Sequence, residues 1–228
     1  MIKELKRGAE VGTTFNRGLE IYKKNFVPLL VATILMGVIG GITCGICSAP
    51  LCCGLFAMIL TAMRGKDVTL QIGDVFKGFS KFVPAFVAFL LIGVANSIVS
   101  SILMVVPILG WLAVIVLGCA VVPAGMMWSL LLVADQDASI GDAILVPLKL
   151  LGDKRFWSIV LVAFVASLLG CVGAVACGIG IFVTLPFAYC MIAAAYEEAY
   201  AGEAPSAAAA PAELPADPPP AADEPPAS

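Results

Sequence analysis

Three long stretches without a charged side chain decide what this chain can fold into. Residues 25–63, 82–134 and 156–196 hold no Asp, Glu, Lys, Arg or His and run for 39, 53 and 41 residues. A helix needs about 20 apolar residues, at about 1.5 Å rise each, to cross a hydrocarbon core about 30 Å thick. A single helix of 39 residues would be about twice too long, so each stretch is expected to hold two crossings joined by a turn. Turn residues sit near the centres: Ser48-Ala49-Pro50, Pro107 with Gly110, and Gly178 with Gly180. The expected fold is therefore an all-α integral membrane protein with six transmembrane helices in three hairpins. Its expected divisions are an amphipathic N-terminal segment over 1–25, the transmembrane domain over 26–200 and a tail over 201–228.

Composition agrees. The chain is 61% hydrophobic and 13% charged, with a mean hydropathy of +1.04, far from the balance of a soluble domain. All 13 Lys and Arg lie outside the three stretches: six up to Lys24, four from Arg64 to Lys81, three from Lys149 to Arg155. The hairpin tips carry none. Basic loops stay on the cytoplasmic side, so both termini are expected there. The first 24 residues are polar and mixed in charge, unlike a cleavable signal peptide. A net charge of -3 offers no footprint for nucleic acid.

Each hairpin is introduced by an amphipathic segment. Val11, Phe15, Leu19, Tyr22 and Phe26 recur at helical spacing before the first, and Ile72, Val75, Phe76, Phe79 and Phe82 before the second. Ile140, Ile144, Leu148 and Leu151 precede the third. Such segments are expected to lie in the headgroup plane, with Lys23, Lys24, Lys77, Lys81, Lys154 and Arg155 reaching anionic lipid. The segments share letters: Gly12-Thr13-Thr14-Phe15, Gly73-Asp74-Val75-Phe76 and Gly141-Asp142-Ala143-Ile144. Asn25-Phe26-Val27-Pro28 likewise matches Lys81-Phe82-Val83-Pro84, with proline where a first helical turn tolerates it. Ser139 with Asp142 has capping-box spacing. Together these read as a threefold internal repeat.

The strings TFNRGLEIYKKNFVPLL, DVFKGFSKFVPAF and LPFAYCMIAAAYEEAY resemble a broad group of uncharacterised bacterial six-helix membrane proteins. That group includes the membrane domain fused to some glycerophosphodiester phosphodiesterases. The resemblance covers residues 9 to 200 and implies a membrane module of the bacterial cytoplasmic (inner) membrane. No phosphodiesterase domain accompanies it.

Candidate chemistry is sparse. The absence of histidine removes the commonest general base and zinc ligand. Cys44, Cys47, Cys52 and Cys53 cluster at the first hairpin tip, and Cys171 and Cys177 flank the third. Small packing residues, a disulfide, and a dithiol or metal pair are the three readings open to them. Gly37, Gly41 and Gly45 repeat at four-residue spacing, a helix-packing signal. Asn96, Ser97 and Ser100 form the candidate polar pocket of a buried crossing, or bond between helices. Asp135 is expected in a cytoplasmic loop, and Glu197 and Glu198 in solvent at the end of the last helix. The tail carries five acidic residues, no Lys or Arg, and eight of the 15 prolines, so it is expected to stay disordered and to be free for a protein partner. The expected function is a non-enzymatic scaffold or assembly factor without a cofactor; the alternative is a channel or permease for a neutral or apolar solute.

Overall fold

The computed structural model describes residues 8–65, 70–106, 108–175 and 180–201. The expected tail beyond Ala201, and also Pro107, Cys177 and Gly178, lie outside them. Among the described residues every regular element is helical. In chain order these are α1 (Val11–Lys24), α2 (Phe26–Ile42), α3 (Ser48–Arg64), a 3₁₀ helix (Ile72–Lys81), α4 (Phe82–Leu103) and α5 (Leu109–Val116). A π turn (Leu117–Val121) then leads to α6 (Val122–Gln136), α7 (Ile140–Leu150), α8 (Lys154–Val175) and α9 (Ile181–Ala201).

Four helical stretches are long and apolar enough to cross a bilayer: Ile72–Leu103, Leu109–Gln136, Lys154–Gly173 and Ile181–Tyr200. Counting the bent pair α1 and α2 as one span gives five. The chain is thus a multi-pass helical membrane protein. The two crossings expected in the first run are shorter than these stretches. The turn between Ile42 and Ser48 leaves α2 and α3 only 17 residues each, or about 25 Å at helical rise, at the lower end of what a crossing needs.

That turn also sits earlier than expected. Cys44 (φ +50°) and Gly45 (φ +86°) reverse the chain, whereas Ser48-Ala49-Pro50 forms the first turn of α3, where a proline has no donor to lose. In the second run Pro123 coincides with a change of ladder instead of a break. The π turn just before it is followed by the Val122 amide donating to Leu117, which lets the helix pass a residue without an N–H.

The amphipathic segments form as expected, and they pack on helices. The helix that closes each hairpin (α3, α6 or α9) carries most of the core: Leu51, Leu55, Phe56 and Ile59; Trp128 and Leu130 to Val133; Met191 and Tyr196 are all buried. These three helices touch one another. The 3₁₀ helix packs on α3, α7 on α6, and α1 on α9. Helix α1 runs antiparallel along α9, with Gly18 against Met191 and the Tyr22 hydroxyl donating to the Val183 carbonyl at 2.8 Å. The opening helices fit between neighbours: α2 on α3 and α9, α4 on α3 and α6, α8 on α6 and α9. Their outer faces stay apolar and exposed, as at Val31, Val38, Leu90, Ile98, Leu161 and Val172.

The 3₁₀ geometry has a visible cause. At about three residues per turn, positions i and i+3 eclipse. This stacks Phe76, Phe79 and Phe82 in a column with centroids 6.1 and 6.2 Å apart. On the opposite side it places the buried pair Val75 and Gly78 against α3. There Gly78 meets Gly54 backbone to backbone: a Cβ on Gly78 would stand 2.9 Å from the Gly54 Cα. Ser139 caps α7, its hydroxyl accepting from the Asp142 amide at 3.3 Å and donating to the Asp142 carboxylate at 2.8 Å.

Candidate functional site

The closing helices converge on a charged cluster. Arg64 is the last residue of α3, Asp135 lies one residue from the end of α6, and Glu197 lies in the last turn of α9. The Arg64 guanidinium pairs with Asp135 and donates from Nε to Glu197 at 2.7 Å. The carboxylates are nearly covered, at 9% and 11% side-chain exposure, while Arg64 keeps 46%. Tyr196 donates to Asp135 at 3.2 Å and accepts from the Gln136 amide at 2.7 Å. Beneath them Trp128 donates to the Tyr200 hydroxyl at 3.3 Å, and Trp128, Tyr196 and Tyr200 pack as one aromatic group. One arginine thus ties three hairpins together, and a net negative charge remains on the three groups.

This placement corrects the sequence expectation. Asp135, Glu197 and Glu198 are packed groups, not solvated loop residues. Glu198 is 3% exposed and accepts from the Thr13 hydroxyl at 2.9 Å and, more weakly, from the Glu10 amide at 3.5 Å. It therefore places an anion at the positive end of α1, which is favourable for a helix N-terminus. A signal was present: Arg64, Asp135 and Glu197 are each the first charge after an apolar run.

The expected headgroup cations divide. Lys81 serves the protein itself, donating to the Val133 and Ala134 carbonyls at 3.0 and 2.8 Å and pairing with Asp137 at 2.6 Å. It closes the C-terminus of α6, where carbonyls lack helical partners. Lys77 pairs with Asp74 yet stays 77% exposed, and Lys23, Lys24, Lys154 and Arg155 are exposed as well. We expect Lys81→Met to cost about 1–2 kcal/mol and Lys77→Met less than about 0.5 kcal/mol, compared by thermal denaturation in detergent.

The described cysteines differ in burial. Cys44 and Cys171 are exposed, Cys47 is half-buried, and Cys52 and Cys53 are buried on α3; all seven described cysteines are free thiols. The Cys53 thiol faces the Leu130 carbonyl at 3.7 Å, holding α3 to α6. Among the described residues no three His, Cys, Asp or Glu side chains assemble as a metal site. Asn96, Ser97 and Ser100 lie on the outer part of α4. The Ser97 hydroxyl donates to the Gly93 carbonyl at 2.9 Å, and Ser100 lies 3.5 Å from the Asn96 oxygen. The two serine hydroxyls thus find acceptors on their own helix.

A pocket of about 260 Å³ lies where α2, α3, α4, α6 and α9 meet, open on the side of the exposed Gly37 and Gly41. Gly37, Gly40 and Gly41 of α2 line it with Ser48, Phe89 and Tyr189; Asn96 and its neighbours do not. Gly37 abuts Phe182 and Gly40 abuts Ser48, whereas a Cβ on Gly41 or Gly45 would meet nothing within 4 Å. The expected glycine face of α2 therefore borders open space as much as a neighbouring helix. No known protein family, curated protein or solved structure matches the chain.

Proposed function

We propose that the protein is a non-enzymatic module of the bacterial cytoplasmic membrane, a scaffold or assembly factor built from three hairpins closed into a ring. The observation that carries this reading is the Arg64–Asp135–Glu197 cluster, in which the first charges after the three apolar runs are used to join the hairpins. The ring supports a threefold repeat. Thr14, Val75 and Ala143 occupy the same place in the aligned segments, and all three are buried. Each segment packs on the closing helix that precedes it, and α1 returns to α9 to complete the circle.

In this reading the six apolar segments form three hairpins, the first of them short, and both termini face the cytoplasm with the basic loops. The resemblance to bacterial six-helix membrane proteins favours the same count of segments. Exposed Lys23, Lys24, Lys154 and Arg155 hold the module at anionic headgroups. The acidic, proline-rich segment from residue 202 onward is the contact for a soluble protein partner. The test is quantitative co-purification from bacterial membranes, comparing the full chain with a chain ending at residue 201. Scaffolding predicts a specific partner whose recovery falls at least tenfold on truncation while membrane insertion is unchanged. Equal recovery from both chains would contradict the tail as the point of capture.

A further inference from the structure

We propose that the cavity among α2, α3, α4, α6 and α9 binds a small, neutral, lipophilic molecule carrying a carbonyl or hydroxyl oxygen. The site stands apart from the charged cluster and from the scaffold reading. Its volume, about 260 Å³, compares with the roughly 150 Å³ apolar cavity that accepts benzene. Two rings or a short branched chain would fill it.

The lining sets the chemistry. Met36, Met127, Leu130 and Phe89 are apolar, and no charged side chain is among the lining residues. An ion would lose its hydration there without a counter-charge. Two hydroxyls nevertheless border the space, those of Ser48 and Tyr189, and neither makes a hydrogen bond among the described residues. Other helical hydroxyls behave differently. Thr33, Thr61, Ser97, Ser101 and Ser129 each donate to the carbonyl four residues back. Ser48, as the first residue of α3, has no such carbonyl in its own helix. Both residues are half-buried; in the hydrocarbon core no water serves such a hydroxyl, and an oxygen on an otherwise apolar ligand satisfies it. The room itself comes from α2, where Gly37 and Gly41 contribute no side chain and a Cβ on Gly41 would meet open space.

Benzophenone is a suitable probe. It is a neutral two-ring ketone, and on irradiation it inserts into nearby C–H bonds, those of methionine included. The full chain in lipid nanodiscs is irradiated with it, and the adducts are mapped by peptide mass spectrometry. Met36 and Met127 are expected to label at least fivefold more than Met104, which is exposed on the outer surface. Gly41→Leu, which fills the space, should reduce that labelling at least fivefold. Ser48→Ala with Tyr189→Phe removes only two oxygen atoms and should reduce it at least threefold with the fold intact. Labelling of Met36 and Met127 no greater than of Met104, or labelling unchanged in the double variant, would overturn the proposal.

Discussion

Gly78→Ala is expected to lower stability by about 3 kcal/mol, or about 6–12 °C in Tm for a chain of this size, although it adds a single methyl group. A Cβ at this position would stand 2.5 Å from the Gly54 amide nitrogen and 2.9 Å from its Cα. Those are backbone atoms of α3 and cannot rotate away as a side chain would. The 3₁₀ helix must lift from α3 to accommodate them, and with it the column of Phe76, Phe79 and Phe82. Gly54→Ala should behave alike, since its Cβ would stand 2.7 Å from the Val75 carbonyl carbon. Gly93→Ala supplies the contrast. Nothing lies within 4 Å of a Cβ there, so alanine should stabilise α4 by about 0.5–1 kcal/mol through lower backbone entropy in the unfolded chain. The same substitution thus has opposite signs at two helical glycines, read from one set of melting curves.

Arg64→Ala should cost about 3 kcal/mol. The loss exceeds that of an exposed pair because Asp135 and Glu197 are nearly covered and would face each other without a cation. Lysine should restore only part of the loss, since a point charge cannot reproduce donation from Nε to Glu197 and from Nη1 to Asp135. Arg64→Met combined with Asp135→Asn and Glu197→Gln should recover most of it, because no charge is then left unpaired. Denaturant titration of the four proteins separates lost attraction from uncovered repulsion.

Much of this architecture was legible in the sequence because the bilayer makes it so. Long charge-free runs mark helices, and Val11, Phe15, Leu19 and Tyr22 mark an amphipathic face by their spacing alone. The Ser139 cap was equally local. Non-local packing was not legible. Nothing in Gly54 or Gly78 distinguishes them from Gly93, because their importance comes from a partner backbone more than 20 residues away in sequence. Lys81 looked like any basic residue beside a membrane, and only the fold shows that it meets the end of α6. Asn96, Ser97 and Ser100 drew attention as polar residues in an apolar run, yet each hydroxyl finds an acceptor on its own helix. The cavity instead falls where three glycines and two hydroxyls from different hairpins meet. Cys44 and Cys52 lie eight residues apart, but one is in an exposed turn and the other in the core.

The most direct test of the closed ring asks whether the start of the chain sits on the third hairpin. A Cβ on Gly8 would stand 3.6 Å from the Ser158 Cβ, within the separation of about 3.5–4.5 Å that a disulfide spans. Gly8→Cys with Ser158→Cys is introduced into a chain whose native cysteines are replaced, with a protease site placed within residues 66–69. After oxidation in the membrane and cleavage, the ring predicts two fragments held together until reductant is added. Fragments that separate without reductant, or that pair only between molecules, would contradict it.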